Sequence, residues 1–191
     1  MLTEPVITGE KVRLRDKKLS DAHNDYTWQV DTELARLDAA APAGVSFQAY
    51  LLDYAHQLRF PGSSRRIFAI ETRDQRHIGN CSYYNIDRRR RTAELGIMIG
   101  DRDFWGKGYG ADAVRALLGY VFSETDLRHI YLKTLEWNYR AQRCFAGCGF
   151  VLGGFLYQEG HSFIRMEIKR EQWEERRAVL RLNNQGTGPE R

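Results

Sequence analysis

Residues 103–114 read DFWGKGYGADAV, with Gly106, Gly108 and Gly110 alternating directly before an amphipathic pattern. Glycine inside a helix costs about 1 kcal/mol relative to alanine, so a cluster at a helix start needs a physical reason. One reason is a tight turn. The other is a backbone that must come close to a bound group. First-turn N–H groups have no intrahelical acceptor, and the helix dipole favours negative charge beside them. Without side chains at the three glycines, phosphate oxygens can reach these amides, and Lys107 adds a cation. The run is too compressed for a dinucleotide fingerprint and lacks the GK[ST] of a phosphate loop.

Two further stretches carry polar groups in telling places. In AELGIMIG (93–100), alternation puts Glu94 on one strand face with Gly96 and Met98, an awkward position for a carboxylate unless it is paired or used. In NYRAQRCFAGCGF (138–150), Asn138 can cap the helix that follows and also offer its amide to a ligand. Cys144 and Cys148, four apart on that helix, read as small core-facing residues; with Cys81 they make an odd count without zinc spacing.

The elements that must position these residues are legible from periodicity. VRLRD (12–16) reads as a strand. Ser20 caps a helix running to about Val30, and a second helix covers about 46–59. Strands follow at 66–72, 77–86 and 92–100, joined by short polar turns. After the glycines, Val114, Leu117, Leu118, Val121 and Phe122 recur on one helical face. A strand at 129–137, a helix at 138–149 ended by glycine, and a hairpin from 150 to 169 close the order. The pattern is one α/β (α+β) domain over 1–178, with about six to seven strands in a mixed sheet and about four helices. Residues 179–191 read as a flexible tail.

Composition sets the class. The chain has 191 residues, 42% hydrophobic and 28% charged, a globular profile with a formal net charge of only +4. That charge is too mild for a nucleic-acid footprint, and Arg88–Arg91 reads as a solvated hairpin turn. No apolar run reaches the ~20 residues of a membrane span and no leader pattern opens the chain, so the expectation is a cytoplasmic protein without a membrane partner.

TAELGIMIG–DRDFWGKGYGADAV, followed by LKTLEWNYRAQRCFAGCGF, resembles the GNAT superfamily of acetyl-CoA-dependent N-acetyltransferases. The likeness is to the branch holding ribosomal-protein alanine and serine acetyltransferases and spermidine acetyltransferase. It runs from VRLRD to about Ile168 and is sharpest over 92–150. It implies a GNAT fold, acetyl-CoA as cosubstrate, no metal, and an amine acceptor, either a protein N-terminus or a small molecule. It also admits a homodimer.

The family's loop pattern is Arg or Gln, two residues, Gly, one residue, then Gly or Ala. Trp105, Gly108 and Gly110 fall on it, so Trp105 departs from the pattern. The resemblance implies that amides from Gly106 through Lys107, Gly108, Tyr109 and Gly110 to Ala111 hold the coenzyme diphosphate. It implies main-chain contacts from Ile97, Met98 and Ile99, and pantetheine contact from Asn138. Glu94 matches a proposed general base. Phe145 stands where relatives often carry a tyrosine that protonates the leaving thiolate, which leaves that role unassigned. For the acceptor pocket the expectation is Trp28, Asp31, Tyr83, Tyr157 and His161. Two other readings stay open: a non-catalytic acyl-CoA-binding domain, and a structural or ribosome-binding protein that keeps only the fold.

Overall fold

The computed structural model describes residues 6–185, with side chains through Val179. Among these residues eight strands form one sheet in the order β1-β2-β3-β4-β5-β6-β8-β7. The strands are β1 (Ile7–Thr8), β2 (Val12–Asp16), β3 (Arg65–Thr72), β4 (His77–Asp87), β5 (Thr92–Ile99), β6 (His129–Leu135), β7 (Val151–Gln158) and β8 (His161–Lys169). The helices are α1 (Ala22–Gln29), α2 (Thr32–Leu37), α3 (Phe47–Arg59), α4 (Tyr109–Glu124), α5 (Tyr139–Gly147) and α6 (Arg170–Gln185). The sheet thus exceeds the expected six to seven strands by the two-residue β1, which pairs with β2. Two helices beyond the expected four are α2 and α6. The tail expected over 179–191 is helical to Gln185, and its remainder lies outside the described residues.

One face of the sheet is apolar because alternate residues of adjacent strands are. Leu14, Phe68, Ile70, Cys81, Leu95 and Leu132 join the buried stripe of α4, where Val114, Leu117, Leu118, Val121 and Phe122 are all buried. Covering one such leucine is worth about 1.5–3 kcal/mol, so this layer fixes α4 and hence its glycine start. α6 continues it, with Trp173 tilted against Phe122 at 6.4 Å between ring centres.

The opposite face, under α1 and α3, is polar and tightly paired. Arg15 forks onto Asp21 at 2.8 Å and reaches Glu71 at 2.6 Å. Lys17 pairs with Asp25 at 2.6 Å, and Asp25 also accepts from Tyr54 and Asn80. His77 Nε2 lies 3.0 Å from the Gly79 carbonyl, with Nδ1 unbonded and 3.6 Å from Asp21. Ser20 does not cap α1 as expected. It sits in a 3-10 turn (Leu19–Asp21) whose Asp21 carboxylate accepts the Lys18 amide instead. Ser46 does cap α3, accepting from the Ala49 amide at 3.3 Å.

The sheet is antiparallel except between β5 and β6. That parallel ladder covers only Thr92–His129, Ala93–Ile130 and Glu94–Tyr131. β5 then runs on to Ile99, paired on its β4 side only, while β6 turns to β8. The two strands part after Glu94. Beyond that rung, backbone groups of β5 that point away from β4 have no strand partner, and they open onto the cavity described next.

Candidate active site

A cavity of about 390 Å³ occupies the parting. One wall is Ile97, Met98 and Ile99 of β5; another is Trp105, Gly106, Gly108, Gly110 and Ala111; a third is Asn138, Arg140, Ala141, Arg143, Cys144 and Phe145 of α5 and its cap. Leu34, Leu37 and Asp38 of α2 close it from the opposite face of the sheet. A single space is therefore lined by helices from both faces, because the strands that would otherwise seal it have separated.

Three glycines build the loop for two different reasons. Gly106 and Gly108 have φ of +70° and +86°, a left-handed backbone that side-chain-bearing residues resist. Gly110 is helical, and a Cβ there would meet only Ile99 Cγ1 at 3.6 Å and Cys144 Sγ at 3.9 Å. Its missing side chain widens the cavity rather than relieving the backbone. Gly108 caps α4, and the Asp112 backbone N–H donates the first intrahelical bond to the Gly108 carbonyl at 3.0 Å. The amides of Tyr109, Gly110 and Ala111 are left outside the ladder, at the positive end of a 16-residue helix. These donors suit a diphosphate.

Of the residues expected to hold the coenzyme, ten line this cavity: Ile97, Met98, Ile99, Trp105, Gly106, Gly108, Gly110, Ala111, Asn138 and Phe145. Tyr109 packs edge-on against Phe104 at 4.9 Å instead, and the Lys107 carbonyl accepts Lys11 Nζ at 2.8 Å. Asn138 caps α5 as expected, its side-chain oxygen accepting from the Ala141 amide at 3.2 Å. Phe145 is buried beside Phe150, a packing role with no proton to offer. Cys148 is buried as expected, but Cys144 turns to the cavity.

Glu94 sits on the last rung before the strands part, only 3% exposed. Oε2 accepts from Asn85 at 3.0 Å and Oε1 lies 3.5 Å from Lys133 Nζ. The hydroxyls of Tyr84 and Tyr131, its neighbours on either strand, bond it as well. Burial and then the Glu94 charge push both phenols above the usual tyrosine range. Asp38, the C-cap of α2, faces the same Tyr84, and desolvation raises its carboxyl above the ordinary value. Asp38, Tyr84, Tyr131 and Lys133 were not foreseen. Register with Glu94 could have suggested Tyr84, since β4 and β5 form a hairpin.

The five residues expected for the acceptor pocket are not brought together. Trp28 is a packing residue: its indole occupies the space a side chain at Gly100 would need and lies 4.9 Å from the His77 ring. Asp31 caps α2 through the Glu33 and Leu34 amides and takes Arg102 on both carboxylate oxygens at 2.8 and 2.9 Å. Tyr83 lines a separate cavity under α3. Tyr157 and His161 stand exposed on the β7–β8 hairpin. α2 reaches the site instead, held to one wall by Asp31–Arg102 and to the other by Arg36, stacked 4.6 Å over Trp137.

Comparison with known proteins places this geometry in a class. Residues 11–151 match the acetyltransferase (GNAT) domain family, and the chain belongs to that family of acyltransferases. It is 28% identical over 148 residues to the uncharacterized N-acetyltransferase p20 of Bacillus licheniformis, covering 77% of this chain and 83% of that protein. Over 97 residues it is 31% identical to a spermidine N(1)-acetyltransferase of Vibrio cholerae, spanning 51% of this chain and about half (56%) of that relative. The crystal structure of the Vibrio cholerae spermidine N-acetyltransferase with CoA and spermine superposes with a TM-score of 0.76 at 24% identity. That match covers 85% of this chain and 98% of the other, and it establishes the shared fold. Among the described residues no helix is long and apolar enough to cross a membrane. No cluster of three or more potential metal ligands occurs there either.

Proposed function

We propose that the chain transfers the acetyl group of acetyl-CoA to a primary amine, either a protein N-terminus or a small-molecule amine, within a ternary complex. The observation that carries this reading is the through-sheet cavity. Glycine-loop amides and the basic residues Arg140 and Arg143 line it on one side and Asp38 on the other, while Glu94 stands just beyond the lining, on the last paired rung of β5 and β6. Two substrates entering from opposite faces would meet where β5 and β6 part. The amides from Gly106 to Ala111 would bind the diphosphate, and Asn138 with the side of the Ile97–Ile99 backbone turned away from β4, where only the Ile99 carbonyl is already taken by Trp105, would receive the amide-rich pantetheine arm as an added strand is taken.

Glu94 is the base in this reading. It accepts the ammonium proton, directly or through a water, so that the neutral amine attacks the thioester carbon. A β5 main-chain N–H facing the carbonyl oxygen stabilises the developing oxyanion. Asp38 supplies charge for a cationic acceptor at the α2 side. The thiolate departs without a protein acid, because a thiol's low basicity permits it and Phe145 cannot help. The enzyme acts in the cytoplasm as a single domain over 1–178.

The likeness to a spermidine N(1)-acetyltransferase supports putting polyamines first in the test. Thiol release from acetyl-CoA is followed over polyamines, monoamines and peptides with free N-termini. Turnover with at least one class is expected. No release above background from any of them would sink the reading.

A further inference from the structure

The indole of Trp105 is fixed at the end of β5, where its Nε1–H donates to the Ile99 carbonyl at 2.6 Å. Arg140, in the first turn of α5 on the far wall, lays its guanidinium over that ring, 3.7 Å from the centroid. A second guanidinium, Arg102, is 5.6 Å from the same ring but is already committed to Asp31 and Glu33. Arg140 has no carboxylate partner among the described residues. Its charge is uncompensated and its orientation is set by an aromatic face rather than by an ion pair.

Stacking of this kind uses the face of the guanidinium and leaves the in-plane N–H edge free. Such an edge, held flat, matches two phosphate oxygens at once. Trp105, Arg140 and the glycines at 106, 108 and 110 line one cavity. The nearer lysine is less suited: Lys11 Nζ donates to the Lys107 carbonyl at 2.8 Å and lies 5.5 Å over the Tyr109 ring. We infer that Arg140, seated on Trp105, is a diphosphate-binding residue that closes the glycine cradle from the α5 side. Through it the enzyme distinguishes a nucleotide-bearing thioester from a bare pantetheine thioester. Trp105 is a positioning residue in this pair. The inference rests on the reading of the cavity as the acetyl-CoA site.

The test compares binding of acetyl-CoA and of S-acetylpantetheine, which has no phosphate, to the full chain and to Arg140→Gln. The exposed position of Arg140 makes a folded variant the expectation, and thermal unfolding checks it. Loss of a charge-assisted pair predicts acetyl-CoA binding weaker by about 10- to 100-fold, with S-acetylpantetheine unchanged within about twofold. Trp105→Ala gives a smaller loss, and the double variant loses little more than Arg140→Gln alone, because the two act as one platform. Equal acetyl-CoA affinity in Arg140→Gln and the parent overturns the inference, as does an equal loss for both ligands. Absence of acetyl-CoA binding to the parent would instead overturn the reading of the cavity, and this inference with it.

Discussion

Asp112, in the first turn of α4, grips Lys11 by its backbone: Oδ2 accepts the Lys11 amide at 2.8 Å. The same carboxylate takes the Glu10 and Val12 amides, both at 3.1 Å, and a side chain at Gly9 would collide with it. A charge that would be costly to bury is thus satisfied by three donors and by the helix dipole. The β1–β2 turn is fastened to the start of α4, and Lys11 is delivered to the glycine loop. Asp112→Ala strands these donors and should cost about 2–4 kcal/mol, with Asp112→Asn milder. Thermal unfolding reads it; an unchanged midpoint for Asp112→Ala would remove the fastening role.

Gly110 separates the two explanations for the glycine cluster. Its backbone is helical and a Cβ fits beside Ile99 and Cys144, so Gly110→Ala should leave folding intact or improve it by about 0.5–1 kcal/mol. Gly110→Val sends methyl groups into the space proposed for the coenzyme, and acetyl-CoA affinity should drop at least about tenfold. Calorimetry on a variant of near-parental stability checks this. Undiminished affinity would mean that the glycine serves the turn alone.

Glu94 carries the proton chemistry in this account. Glu94→Gln keeps the shape and the Asn85 contact but accepts no proton, so kcat should fall by about 10²- to 10⁴-fold with little change in KM for acetyl-CoA. A variant that retains the rate shows Glu94 to be a structural partner of Lys133 and the two tyrosines. Asp38→Asn is expected to raise KM for a cationic acceptor instead.

The polar layer beneath α1 sets a pH limit on stability. Burial, and then Lys17, lower the pKa of His77 despite Asp21 and Asp25 nearby. An unfolded chain binds a proton at this position near pH 6.5, whereas the folded protein holds the ring neutral to lower pH. Stability from this site is therefore full above about pH 6.5 and declines as pH falls toward the folded value. Unfolding midpoints between pH 8 and 5 measure it, and His77→Gln should flatten this part of the curve. An identical slope in that variant would place the dependence elsewhere.

Much of this is legible in the sequence itself. The stripe from Val114 to Phe122 declared α4, and Asn138 with Gly149 marked both ends of α5. What escaped has physical causes. α2 spans six residues, too few for a periodic signal, although Asp31 and Glu33 form an N-terminal signature that was there to read. α6 is so polar that it resembles a tail; Trp173 and the bonds from Arg170 to the Thr125 and Leu127 carbonyls tie it down. The parting of β5 from β6 is a property of pairing between distant segments, which neither strand's own pattern encodes. The same holds for the acceptor side: aromatic residues such as Trp28 were grouped by type, whereas Asp38 arrives from an unforeseen helix.

The most direct test of the central claim is an amide chemical-shift titration of the full chain with acetyl-CoA. The account predicts saturable one-site behaviour, with the largest shifts at the amides of residues 97–99 and 106–111 on the two walls of the cavity. Shifts concentrated in the second cavity under α3, or no saturable shifts at all, would contradict it.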